Sequence, residues 1–88
     1  MSVRVVFAKA GEAEVLSIGP DAIVLRSTVP WPPGSRIEGA LEWEGPAGSL
    51  RVKVHSSRRT GEGHFVIEGR PIDLPRQVRE RLASLTSG

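Results

Sequence analysis

His55 and His64 are the only histidines in the chain, so they are the first residues to test for acid–base or metal chemistry. A general base needs a reacting proton within hydrogen-bond reach, and a metal centre needs further histidine, cysteine or carboxylate ligands at fixed spacing. The chain has no cysteine, and no such cluster stands around either histidine. Both flank the polar stretch Ser56–Gly63 and read as solvated strand-end residues. Hydroxyls are offered by Ser17, Ser27, Ser35, Ser49, Ser56 and Ser57, but none lies in a Gly-x-Ser-x-Gly elbow, so they read as turn and edge residues. The ten glycines are scattered at turns and never form the Gly-x-x-x-x-Gly-Lys run that cradles phosphates. The expectation is a protein that catalyses nothing and holds no metal.

What remains is recognition chemistry. Arg58-Arg59 can contact phosphates or an acidic partner, or can be a solvated hairpin tip. Arg70, Arg76, Arg79 and Arg81 can form a basic face, or be ordinary solubilising charge on a helix. Trp43 closes an alternating pattern and is expected in the core. Trp31 stands among three prolines, Pro30, Pro32 and Pro33. It can fold back over an open barrel end, or it can anchor a partner, as tryptophans often do at interfaces.

The elements that position these residues emerge from period and punctuation. Ser2–Ala8 and Glu12–Ile18 read as a hairpin through Lys9-Ala10-Gly11. Gly19-Pro20-Asp21 breaks the second strand, and Ala22–Arg26 comes next as a short strand, apolar on both faces and so expected to be buried on both. Three prolines make Thr28–Ser35 a rigid loop. Ile37, Gly39, Leu41 and Trp43 then alternate with Arg36, Glu38, Ala40, Glu42 and Glu44, the pattern of a half-buried strand. Gly45-Pro46-Ala47-Gly48 is a turn into Ser49–His55, where Leu50, Val52 and Val54 alternate with charge. A symmetric closure of that hairpin sets Glu42 opposite Arg51 and Trp43 opposite Leu50. Ser56–Gly63 reads as a loop, His64–Glu68 as the sixth strand, and Gly69-Arg70-Pro71 as its end. Asp73 is a helix N-cap candidate with Pro75 in the first turn. Val78, Leu82 and Leu85 then give one apolar stripe to a helix over Leu74–Leu85. Residues 86–88 are expected to fray.

With 88 residues, the chain holds one domain and one modest core. Six short strands joined by tight turns argue for a small antiparallel barrel or sandwich, with the helix over an open end or an edge; the expected fold is the small six-stranded antiparallel β-barrel capped by a C-terminal α-helix. A net charge of +2, from 12 basic and 10 acidic residues, is less lopsided than most nucleic-acid binders of this size. Absence of cysteine, of a signal-peptide pattern and of a long apolar run leads to the expectation of a cytoplasmic, bacterial protein without membrane contact.

Three stretches resemble the PilZ family. Ala22–Ser27 leads through Val29-Pro30-Trp31-Pro32-Pro33-Gly34-Ser35 into the alternating strand Arg36–Glu44. A meander then runs through Ser49–His55 and His64–Glu68. The exit is Pro71-Ile-Asp-Leu74 and an Arg- and Leu-bearing helix. The resemblance spans nearly the whole chain and rests on pattern. It implies a β-barrel that, in typical members, binds cyclic di-GMP through an Arg-x-x-x-Arg segment before the first strand and an Asp/Asn-x-Ser-x-x-Gly turn between the second and third. Here no Arg-x-x-x-Arg precedes the first strand. Aligned on the third strand, Ser17, Gly19 and Ala22 take the Asp, Ser and Gly positions of the turn; slid to match its serine, Val15 and Pro20 fall where Asp and Gly belong. The resemblance therefore implies a degenerate member, a regulatory or adaptor domain acting on another protein or a neighbouring domain, with cyclic di-GMP binding not expected. Any residual nucleotide contact would fall to Ser17, Gly19, Arg58 and Arg59, and a partner interface to Trp31, Pro30 and Pro32. Two alternatives stay open: a cyclic di-GMP receptor using non-standard contacts, and a small-barrel nucleic-acid binder.

Overall fold

The computed structural model describes residues 3–8, 11–44, 48–61 and 63–86. The expected turns at Lys9-Ala10 and Gly45-Pro46-Ala47, and the start of the first strand at Ser2, fall outside them. Six strands, β1 (Arg4–Phe7), β2 (Glu12–Ile18), β3 (Ile23–Ser27), β4 (Arg36–Glu42), β5 (Ser49–Arg59) and β6 (Phe65–Pro71), precede one helix, α1 (Arg76–Thr86). The strands pair antiparallel throughout, in the order β1-β2-β3-β6-β5-β4, and β4 returns to β1 to close the barrel. Closure leaves no sheet edge.

The alternation in the sequence translates directly into facing. On β4, Ile37, Gly39 and Leu41 are buried and Arg36, Glu38, Ala40 and Glu42 exposed; on β5, Leu50, Val52 and Val54 line the same interior. With Val5, Ile23, Leu25 and Ile67 they fill the barrel. Two inward positions must be glycine, because neighbouring backbone passes too close for a side chain. A Cβ on Gly39 would lie 2.6 Å from Val5 Cγ1 and 2.7 Å from the Val6 carbonyl oxygen. One on Gly69 would lie 2.5 Å from Val52 Cγ1 and collide with the Lys53 carbonyl. Gly39 thus lets β4 seat against β1, and Gly69 lets β6 seat against β5.

Several boundaries differ from the sequence expectation. The β4–β5 register pairs Glu38 with Arg51 and Gly39 with Leu50, four residues from the symmetric hairpin that set Glu42 against Arg51 and Trp43 against Leu50. The shift is even, so every side chain keeps its face; on the other edge of β4, Glu42 lies opposite Arg4 of β1. Trp43 lies beyond the strand, half-buried against the core rim. β5 runs on to Arg59, so Arg58 and Arg59 are strand residues and not a loop tip. β6 runs on through Gly69 and Arg70 to Pro71. The last β3 partner on β6 is Gly69, so the missing N–H of Pro71 interrupts no ladder on that side. β3 buries only Ile23, Leu25 and Ser27, while Val24 is half-exposed and Arg26 exposed: its second face is the barrel's outer wall.

The helix starts at Arg76, with the Pro75 carbonyl accepting from the Arg79 N–H at 3.0 Å, so Pro75 and not Asp73 occupies the cap. The residue before a proline is driven out of helical geometry, which removes Leu74 from the helix. Asp73 adopts a left-handed φ of 51° in the connecting turn. Thr86, expected to fray, belongs to the last turn, where its Oγ1 donates to the Leu82 carbonyl at 2.8 Å. The expected apolar stripe is the buried one: Leu82 is fully buried, and Val78 and Leu85 pack beside it. Arg79 reaches the Pro20 carbonyl (3.0 Å) and Arg81 the Glu44 carbonyl (3.1 Å), fastening α1 across one barrel end. Among the described residues no helix is long and apolar enough to cross a membrane.

Candidate functional site

The opposite end of the barrel is closed by the proline-rich loop. Ser27 is fully buried at the end of β3; its Oγ donates to the Val29 carbonyl (2.7 Å) and accepts from the Val29 N–H (3.1 Å), a local turn that aims the chain back across the barrel mouth. Thr28 is stitched to the start of β2, its Oγ1 accepting from Glu12 N–H and donating to the Glu12 carbonyl. At the far end of the loop Gly34 N–H donates to the Val54 carbonyl and Val54 N–H to the Ser35 carbonyl, both at 2.8 Å. Between these two anchorages Trp31 turns inward. Its ring meets Phe7 edge-on, centroids 5.2 Å apart at 80°, and packs against the core while remaining half-exposed. Its Nε1 is buried without a hydrogen-bond acceptor. Pro30, Pro32 and Pro33 stay exposed around it. The loop thus makes a pinned, apolar rim on the mouth that Trp31 plugs.

The residues singled out for nucleotide contact divide among three places. β2 has a bulge between Val15 and Ser17, and β5 another between Val54 and Ser56. Each inserts one unpaired residue and reverses the facing of the strand beyond it. In β2 this turns Ser17 outward, opposite Val24, and leaves Leu16 exposed at 37%. In β5 it turns Arg58 outward, opposite Val66. Ser17 and Arg58 therefore share the continuous outer wall β2-β3-β6-β5, where Val24, Ser56, Arg58, Val66 and Glu68 line a solvent-open groove of about 490 Å³. They are not adjacent: three strand spacings separate β2 from β5, roughly 14 Å. Arg59 is next to Arg58 in the same strand and takes the opposite face, at the mouth. Gly19 lies in the β2–β3 turn, its N–H donating to the Ala22 carbonyl at 2.8 Å, on a second groove beside Pro20, Leu74 and Arg79 of the helix end. The four residues do not converge on one site.

His55 is the extra residue of the β5 bulge and is exposed. His64 is exposed beside Arg4, Glu12, Glu14 and Arg26 in a shallow polar recess. Among the described residues no three histidine or carboxylate side chains come together to hold a metal.

One surface feature is not legible in the sequence. Arg36, Lys53 and Arg70 stand directly opposite one another across β4, β5 and β6. The outward phase of Arg36 and Lys53 is carried by the alternation; that of Arg70 is hidden, because the glycine and proline around it mark a strand end.

No protein-family model, curated protein or solved structure matches the chain.

Proposed function

We propose that this chain is a non-catalytic regulatory or adaptor domain of PilZ type, working in the cytoplasm through another protein or a neighbouring domain and not holding cyclic di-GMP by itself. The closed barrel with a terminal helix agrees with what the resemblance implies for fold. The observation that carries the adaptor reading is the pinned rim: Pro30 and Pro32 exposed around a half-buried Trp31, on a loop anchored at both ends to the barrel. A rigid apolar rim loses little ordering entropy on binding, and an aromatic held in place is the usual anchor of a protein interface. The scatter of Ser17, Gly19, Arg58 and Arg59 supports the absence of a dinucleotide site, since phosphate gripping by arginine depends on convergent, charge-assisted bonds.

Calorimetric titration of cyclic di-GMP into the chain tests the nucleotide half. Heat should stay at the dilution level through micromolar concentrations; a dissociation constant tighter than about ten micromolar, or about −7 kcal/mol, refutes it. A photo-crosslinker at position 32 tests the adaptor half, which fails if no protein of the native cytoplasm is captured. The receptor alternative is favoured by one observation, the shared outer wall of Ser17 and Arg58, and would show in the titration as binding lost in Arg58→Ala. The nucleic-acid alternative is weakened by the outer wall itself: Phe7 and Phe65 both lie on inward strand positions, and both tryptophans lie outside the strands, so no aromatic platform for stacked bases faces outward.

A further inference from the structure

On part of the barrel wall cations stand beside carboxylates. Arg4 lies between Glu12 (3.5 Å) and Glu42 (3.8 Å), Arg26 pairs with Glu14, and Arg51 with Glu38 at 3.4 Å. The row Arg36–Lys53–Arg70 has no such pairing among the described residues, as is also true of Arg58 and Arg59, but it alone sets its cations directly opposite one another. All three are exposed, each is the direct cross-strand partner of the next, and none pairs with a carboxylate among the described residues. Like charges directly opposite destabilise a sheet, and this row contains two such juxtapositions. Acids on the same strands flank it: Glu38 lies two residues from Arg36 and is engaged by Arg51, and Glu68 lies two residues from Arg70, opposite Ser56. Among the described residues the row itself has no ion-pair partner.

We infer that this row receives the carboxylates of an acidic protein segment. Adjacent strands are spaced by about 4.8 Å, so the backbone positions of the three cations follow one another around the curved wall at about that pitch. Carboxylates three or four residues apart on one helix face are about 5–6 Å apart, a matching pitch. A phosphate backbone would also supply charge, but β4, β5 and β6 present no outward aromatic on which bases would stack. The inference rests on the adaptor reading and names the chemistry of the partner, on a surface separate from the Trp31 rim.

Its test is an amide chemical-shift titration of the full chain with three probes: an alanine-based helical peptide bearing glutamate at every fourth position, the same peptide with glutamine in those positions, and a short oligothymidylate. The glutamate peptide should move signals around Arg36, Lys53 and Arg70. The shifts should vanish at about 1 M salt, where screening acts beyond about 3 Å, and affinity should fall about fivefold or more in Lys53→Gln. That variant should also keep or raise the unfolding midpoint, because it relieves both like-charge contacts. Shifts absent from the row, or equal for the glutamine peptide, overturn the inference and leave the adaptor reading standing. A midpoint lowered by Lys53→Gln overturns its electrostatic premise. Stronger binding of the oligothymidylate at the row overturns the inference and the adaptor reading together.

Discussion

At the scale of single residues, Trp31 has a packing role and, in the proposed function, an anchoring role, and substitution separates the two. Its ring plugs the mouth against Phe7, so Trp31→Ala removes packing from a half-buried site. The expected loss is about 2 kcal/mol, below the range for fully buried tryptophans, and it lowers the thermal midpoint by roughly 8–15 °C in a domain of this size. Trp31→Phe keeps an aromatic edge contact and deletes an N–H that burial leaves without an acceptor. That deletion offsets part of the lost area, so the phenylalanine variant should stay within about 1 kcal/mol of the parent. A partner that uses the indole should still detect the change, which makes Trp31→Phe the better probe of the rim. Ser27 has a purely architectural part. Ser27→Ala strips both bonds from Val29 inside a fully buried turn, and a urea titration should show a loss of about 1–3 kcal/mol. An unchanged urea midpoint would mean that the prolines alone hold the loop.

At the scale of elements, the helix illustrates how little local propensity decides. An 11-residue helix is marginal in water by itself, and Asp73, the residue best suited by type to cap it, does not. What holds α1 is Leu82 in the core and the reach of Arg79 and Arg81 to the backbone of two barrel turns. Leu82→Ala should therefore cost about 2–4 kcal/mol and lose helical ellipticity before the strand signal melts. Simultaneous loss of both would instead show one cooperative unit. β6 is the element least legible beforehand. Gly-Arg-Pro reads as a stop, yet the strand passes through it because Gly69 is the only residue that fits against Lys53 and Val52. The clash is with backbone, which cannot rotate away, so Gly69→Ala should cost about 3 kcal/mol or more, at the upper end of overpacking penalties. Differential scanning calorimetry of that variant checks it.

At the scale of the molecule, closure dominates. The Cα radius of gyration is 11.7 Å, close to the roughly 12 Å of a compact chain this long, and side chains fill the barrel. Closing β4 onto β1 links residues more than thirty positions apart, and such non-local pairing slows folding into the millisecond-to-second range typical of small barrels. Trp31 and Trp43 report from opposite ends, one at the plugged mouth and one at the helix-capped rim. Their fluorescence and the far-UV circular dichroism should give coincident urea transitions if the barrel unfolds as one body; separated midpoints would show an end that opens first.

By itself the sequence determined the number of strands, the terminal helix and the inward set on each strand, because side-chain alternation and turn residues are local properties. Ile37, Leu41, Leu50, Val52 and Val54 face inward whatever the register, since the actual offset between β4 and β5 is an even number of residues. Only the tertiary structure decided the register, the bulges at Val15/Ser17 and Val54/Ser56, and hence which side Ser17 and Arg58 present. Those depend on strands distant in the chain: β4 is held by β1 on one edge and β5 on the other, and the bulges of β2 and β5 fall where those strands pair with β3 and β6. The cationic row is likewise tertiary, for Arg36, Lys53 and Arg70 become neighbours only when three strands align. Its physical consequence, adjacent cations with no ion-pair partner among the described residues, belongs to that alignment and to none of its residues alone.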